Sequence, residues 1–219
     1  MTWRRGGARD GRDAPAGAPG RERRQTLLLP MVLERIDESR PLTVLDVGGG
    51  TAETIEFLSR YRCRLHFADL FDTAELGAVP EDEDPVAYYT AVFSRLLDFP
   101  ADTRFDLCLL WDFLNYLPVP ALTGFSRALR PYLRADTVGH GFGAFKATAP
   151  GSSWTAPEHG FAYGIVDADT LSVRPRPEGS RAPTHPHSRK VVAEALECFD
   201  IARGTLLQDG AMELLLEAR

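Results

Sequence analysis

The segment Thr43-Val44-Leu45-Asp46-Val47-Gly48-Gly49-Gly50-Thr51-Ala52-Glu53 sets an acid and three successive glycines between an apolar run and a stretch of helical period. Leu42, Val44, Leu45 and Val47 make the nearly continuous apolar run of a strand buried on both faces. Glycine admits positive φ and lets a ligand come close with no Cβ in the way. Thr51 suits an N-cap, and Thr54, Ile55, Phe57 and Leu58 then recur at helical spacing. A strand, a glycine turn and a helix N-terminus together form a site for a nucleotide-like ligand, with the free N–H groups of the helix start facing it. A turn that holds glycine only for tight packing is the plainer alternative.

The residue types narrow the ligand. A dinucleotide fingerprint needs glycine at the first, third and sixth places of the turn; here those places hold Gly48, Gly50 and Glu53. An acid at the sixth place repels a pyrophosphate, and the Gly-Lys-Ser/Thr ending of a phosphate loop is absent. Asp46 ahead of the glycines, with no phosphate-binding lysine beside them, suits a ligand that carries positive charge. S-adenosylmethionine, with a sulfonium and an ammonium, is such a ligand, and a nicotinamide cofactor is a distant alternative.

Asp46-Val47-Gly48-Gly49-Gly50-Thr51-Ala52 resembles the first motif of the class I S-adenosylmethionine-dependent methyltransferases, acid-x-Gly-x-Gly-x-Gly, with Ala52 in place of the third glycine. Arg64-Leu65-His66-Phe67-Ala68-Asp69 looks like the second strand of that family. Asp69 lies 23 positions after Asp46, near the spacing at which an acid meets ribose hydroxyls in such folds. Leu97-Asp98-Phe99 is similar to the third motif, Phe105 to Asp112 to the fourth strand, Ala128 to Pro131 to the helix end before the fifth strand, and Met212 to Arg219 to the closing strand. The resemblance covers about residues 25 to 149 and, more loosely, 188 to 219. It implies a doubly wound, mostly parallel α/β sheet of Rossmann-like methyltransferase type, with a terminal antiparallel strand and an inserted hairpin. It also implies that Asp46, Gly48, Gly49 and Gly50 hold the methionine portion of S-adenosylmethionine. Asp69 would then bind ribose, Asp98 and Phe99 would flank adenine, and Trp111 and Asp112 would line the floor. The Asp/Asn-Pro-Pro-Tyr/Phe signature of amino-group methyltransferases is missing after Leu110, where Trp111-Asp112-Phe113-Leu114 stands, which argues against adenine or glutamine as acceptor.

The elements that position these residues alternate. A first helix is expected over Leu27 to Ile36, with Pro30 in its first turn. The helix after the glycine turn runs to about Arg60, another opens at Pro85 with Val86, Tyr89, Val92, Phe93 and Leu96 on one face, and a further one spans Val119 to Leu129. Strands alternating with helices read as a parallel doubly wound sheet. In the expected fifth strand, Thr137 to Lys146, His140 reads as a hydrogen-bonded core residue. Lys146 stands at the carboxyl end, where ligands of such sheets bind.

Residues 147 to 187 depart from a minimal sheet domain. Phe161 to Val166 and Thr170 to Arg174 flank Asp167-Ala168-Asp169 in the pattern of a hairpin, and the whole segment reads as a substrate-covering insertion. Tyr116, Lys146, Trp154 and His159 are the candidates to face the substrate, with Phe161 and Tyr163 as part of an apolar wall. No catalytic residue is singled out: Lys146, His140, His159 and Tyr116 could each serve as a base, and methyl transfer from an activated donor can proceed largely by alignment.

Composition bounds the rest. The chain has 219 residues and a formal net charge of -6, which speaks against a general nucleic-acid binder. Residues 1 to 24 hold seven Arg against Asp10, Asp13 and Glu22, while the remainder has 18 basic and 28 acidic residues. That Arg/Gly/Pro-rich segment is expected to be a disordered tail, leaving 25 to 219 as one methyltransferase-like domain. No apolar run approaches the ~20 residues of a membrane span, and no apolar signal-peptide core opens the chain. Cys63, Cys108 and Cys198 are scattered and match no metal-ligand spacing, so no metal is expected, and a reduced cytoplasmic setting is. The expected activity is methyl transfer to a small-molecule substrate. The alternative is a non-catalytic protein that binds S-adenosylmethionine or regulates through the same fold. The sequence leaves the acceptor and the oligomeric state open.

Overall fold

The computed structural model describes residues 21–72, 76–144, 160–176, 183–208 and 210–219. Strand β1 (Glu22–Gln25) precedes a short helix α1 (Leu29–Leu33), β2 (Leu42–Asp46), α2 (Ala52–Leu58) and β3 (Cys63–Phe67). Then come α3 (Pro85–Leu96), β4 (Phe105–Trp111), α4 (Val119–Leu129) and β5 (Leu133–Gly143). A hairpin of β6 (Phe161–Asp167) and β7 (Thr170–Pro175) is followed by α5 (Arg189–Ala195), β8 (Phe199–Leu206) and β9 (Met212–Ala218).

The main sheet has the order β3-β2-β4-β5-β9-β8. β3, β2, β4 and β5 pair in parallel, and β9 runs antiparallel to both β5 and β8. β4 lies at its centre and all seven of its residues are buried, which is why, Asp106 apart, it reads as a continuous apolar run in sequence. The helices start where the sequence signals them. Thr51 caps α2, its Oγ1 accepting from the Thr54 N–H at 3.4 Å. Asp84, the last of the acidic run 81–84, caps α3 through the Ala87 N–H at 2.8 Å, and Pro85 sits in the first turn.

A second, antiparallel sheet has the order β1-β7-β6. Its hairpin is the one expected from sequence. β1 is a correction: Glu22, Arg23 and Arg24, read as the end of the tail, pair with Val173, Ser172 and Leu171 of β7. Residues 1–20 of the expected tail lie outside the described residues. β6 rests on the N-terminus of α2. Thr51 Oγ1 donates to the Tyr163 carbonyl at 3.1 Å and the Ile165 N–H donates to Thr54 Oγ1 at 3.1 Å. A Cβ at Gly164 would stand 2.9 Å from Thr51 Oγ1, so glycine allows that approach. Glu53, the acid that breaks the dinucleotide pattern, pairs with Arg174 of β7 at 3.6 Å and with Arg21. Among the described residues no helix is long and apolar enough to cross a membrane.

Candidate functional site

The glycine turn lies at the carboxyl end of β2, where Asp46 ends the strand. Asp46 is 2% exposed. Its Oδ1 accepts from the Gly48 N–H at 2.8 Å and from Trp111 Nε1–H at 2.6 Å. Its Oδ2 finds no hydrogen-bond partner among the described residues. Burial pushes the Asp46 carboxyl up to about 7 against the lowering pull of the Trp111 and Gly48 bonds. Gly48, Gly49 and Gly50 serve close approach and not positive φ, which among described glycines belongs to Gly160 and Gly210. A Cβ at Gly48 would meet Asp46 Oδ1 at 3.2 Å and Trp111 Cδ1 at 3.3 Å, and one at Gly49 would meet Asp69 Oδ2 at 3.0 Å.

β4 delivers the second acid. Trp111 has φ 47°, a strained setting for a bulky residue and one that recurs at functional sites. The turn sends the indole toward Asp46 and leaves Asp112 next to it, fully buried. Asp112 Oδ2 accepts from the Tyr116 hydroxyl at 3.3 Å, while Oδ1 has no partner among the described residues. Burial raises the Asp112 carboxyl to about 7, and burial with the Asp112 charge pushes the Tyr116 phenol well up. Tyr163 of β6 closes this side. Its ring stacks on Trp111 at 5.2 Å with 5° between the planes, and on Phe142 at 5.4 Å. Burial, then the charge of Asp112, pushes its phenol up as well.

The third acid follows β3. Asp69 has φ 38°, a setting that Asp tolerates better than most residues. It forms an ion pair with Arg176, which comes directly after β7. The Arg176 guanidinium also lies over the Phe71 ring, 4.5 Å from its centroid.

Asp46, Gly48, Gly49, Gly50, Asp69, Trp111, Asp112 and Tyr116 are thus brought together at the carboxyl ends of the parallel strands, where ligands bind in open α/β sheets. Asp98 and Phe99 are not. They follow α3 and lead into the amino end of β4, at the opposite edge of the sheet. Asp98 is exposed, and the Phe99 ring packs 5.2 Å from Phe105 and 5.4 Å from Tyr132. Only eight residues separate α3 from β4, too few for a strand that crosses the sheet at ~3.3 Å per residue and a return. Lys146, Trp154 and His159 lie outside the described residues. His140 is a core residue: its Nε2 meets Glu213 Oε1 at 2.8 Å with both side chains fully buried. Arg176 carries no pattern that sequence reading could have used. Tyr163 stood out only as one aromatic of the hairpin.

The reversed β9 between β5 and β8, beside four parallel strands, decides the architecture. The fold is class I methyltransferase-like. No protein-family profile and no curated protein matches the chain. Among solved structures it is similar to the pyocyanin biosynthetic protein PhzM, at 15% identity and a TM-score of 0.47 over 88% of this chain and 55% of PhzM. It is similar to the 1,6-didemethyltoxoflavin-N1-methyltransferase of Burkholderia thailandensis, at 15% identity and 0.43 over 82% of this chain and 72% of the other. It is also similar to an S-adenosylmethionine-dependent methyltransferase from Clostridium acetobutylicum ATCC 824, at 14% and 0.46 over 86% and 89%. The chain spans just over half the length of PhzM.

Proposed function

We propose that this methyltransferase-like chain binds S-adenosylmethionine at the glycine turn and transfers its methyl group to a small-molecule acceptor. One observation carries the reading: Asp46 holds a buried carboxylate oxygen, Oδ2, with no partner among the described residues, beside a glycine turn and within reach of the charge of a second acid, Asp69. An acidic, desolvated pocket at a helix start repels phosphate and attracts an organic cation. Asp46 and the glycine turn would hold the amino-acid portion, Asp69 the ribose, and Trp111 and Asp112 the floor. Bound S-adenosylmethionine would supply an activated methyl group whose transfer leaves a neutral thioether.

The chain's own residues would align the acceptor and exclude water. Tyr163 and Trp111 form one continuous aromatic wall over Asp46. Alignment alone supplies a large share of such an acceleration. Where the acceptor has a proton to lose, Asp112 is the group set to take it, since its carboxyl is held near neutrality and its Oδ1 is free of partners among the described residues.

Calorimetric titration with S-adenosylmethionine, its demethylated product and NAD, on the wild type, Gly50→Val and Asp69→Ala, tests the reading. Binding of both sulfur compounds by the wild type, weakened in both variants, supports it. Binding of neither sinks it. Tight binding with no methyl transfer across a broad acceptor panel favours a non-catalytic binding or regulatory protein on the same fold.

A further inference from the structure

Arg176 stands where an incoming ligand would need the acids. Its backbone N–H donates to the Gly160 carbonyl at 3.1 Å, and its side chain is only 13% exposed although it carries a charge. The guanidinium pairs with Asp69 and covers the face of Phe71. Gly160, at φ +70°, lets the backbone pass that ring: a Cβ there would lie 3.3 Å from Phe71 and 3.4 Å from the Tyr116 hydroxyl. Asp46 and Asp112, both buried and each with one unpartnered oxygen, are within electrostatic reach of the same guanidinium. A cation between carboxylates and against an aromatic face is a recognition unit in its own right.

We propose that Asp46, Asp69, Asp112 and Phe71 form one slot for an organic cation, that the Arg176 guanidinium is its internal occupant, and that a cationic ligand enters by displacing the Arg176 side chain. The hairpin need not move, since the Thr51 and Thr54 bonds and the pairing with β1 hold it on α2. Only the side chain changes partner. The exchange is near neutral in charge for a ligand that carries a sulfonium. The demethylated product has lost that charge and leaves Arg176 its place among the acids, so the internal competitor weakens binding of the methylated form more than binding of the spent one. The ligand arm of this inference rests on the proposed function. The slot itself does not.

Two variants test it. In Arg176→Gln the internal competitor is gone, so the dissociation constant for S-adenosylmethionine falls about two- to fivefold, the range expected for one partly exposed ion pair. That for the demethylated product falls less, because it lacks the charge the acids attract. In Arg176→Ala the slot is empty, and ethylguanidinium at low millimolar concentration raises the melting temperature of this variant. It leaves the wild type and the double variant Asp69→Asn/Arg176→Ala unraised. Weaker binding of both sulfur compounds by Arg176→Gln overturns the displacement and makes Arg176 a ligand contact. An absent thermal shift with ethylguanidinium in Arg176→Ala overturns the slot. If neither sulfur compound binds any of these proteins, the proposed function falls, and the ethylguanidinium result alone then decides for or against the slot.

Discussion

Trp111 Nε1–H donates to Asp46 Oδ1 at 2.6 Å, tying the end of β4 to the end of β2 across 65 positions of sequence. The bond explains two oddities together. Trp111 takes a positive φ of 47° at the turn that brings the indole N–H onto the acid. Asp46 tolerates burial because two donors meet one of its oxygens. The opposite oxygen is left for whatever the site takes in.

Trp111→Phe keeps the ring that stacks on Tyr163 and removes the donor. Loss of a hydrogen bond to a buried acid costs about 1–3 kcal/mol, measurable by urea denaturation at pH 8. The Trp111 bond is one of the interactions that lower the Asp46 carboxyl, so in this variant the Asp46 carboxyl rises above about 7. Carboxyl titration followed by carbon-13 NMR checks the direction, and an unchanged Asp46 would show that the indole bond does not tune it.

Asp112→Asn tests the pH linkage of the site. Burial raises the folded-state carboxyl to about 7 from 3.8. The folded chain therefore binds more protons than the unfolded one between those values. Stability falls as pH rises through that window, by up to about 1.4 kcal/mol per pH unit for this group. Asn carries no charge to bury. The variant should be more stable than the wild type at pH 8, on the order of 4 kcal/mol, and the gap should close by pH 4. If Asp112 also takes the acceptor proton, methyl transfer drops about 100-fold in the same variant.

Much of this architecture is legible in the chain because the physics behind it is local. β4 is apolar throughout except for Asp106, α4 shows a clear apolar face over Val119–Leu129, and Thr51 and Asp84 mark helix starts by their own side chains. The hairpin shows itself by alternation about Asp167-Ala168-Asp169. What stayed hidden depends on distant partners. Glu22-Arg23-Arg24-Gln25 has no apolar residue, and it becomes a strand only because the free edge of β7 offers hydrogen bonds. Asp98 and Phe99 match a short motif, but a motif does not say at which end of the sheet it falls. Arg176 is one arginine among many until the hairpin folds it back over Asp69.

Gly124→Ala probes the packing of α3 on α4. A Cβ there would stand 2.7 Å from Tyr89 Cβ and 2.8 Å from the Thr90 nitrogen. Those are backbone and near-backbone atoms, so the helices must part. Alanine gains about 1 kcal/mol in helix propensity, yet overpacking costs about 1–3 kcal/mol or more. The net effect expected is destabilisation of 1 kcal/mol or more, read as a lower urea midpoint with an unchanged slope. A midpoint at or above that of the wild type would mean the two helices are free to separate.

Glu213→Gln addresses the acid that joins α1 to the sheet. Glu213 is fully buried on β9. Its Oε1 accepts from the N–H groups of Leu28 at 3.0 Å and Leu29 at 3.1 Å and meets His140 Nε2 at 2.8 Å, and its Oε2 accepts from the Leu27 N–H at 2.7 Å. A carboxylate at a helix start satisfies donors that would otherwise be orphaned. Burial pushes the Glu213 carboxyl up, but the His140 bond and charge and the backbone bonds outweigh it, so its pKa is lowered from 4.5. A lowered acid adds stability above its unfolded value and loses it as pH falls through the folded one. In the Gln variant one oxygen becomes a donor that faces an N–H group, at a cost of about 2–4 kcal/mol at pH 7. The difference in melting temperature between wild type and variant should be largest near neutrality and shrink as pH falls below 4.5. A gap that stays constant down to pH 3 would place the stabilisation in the shape of the side chain and not in its charge.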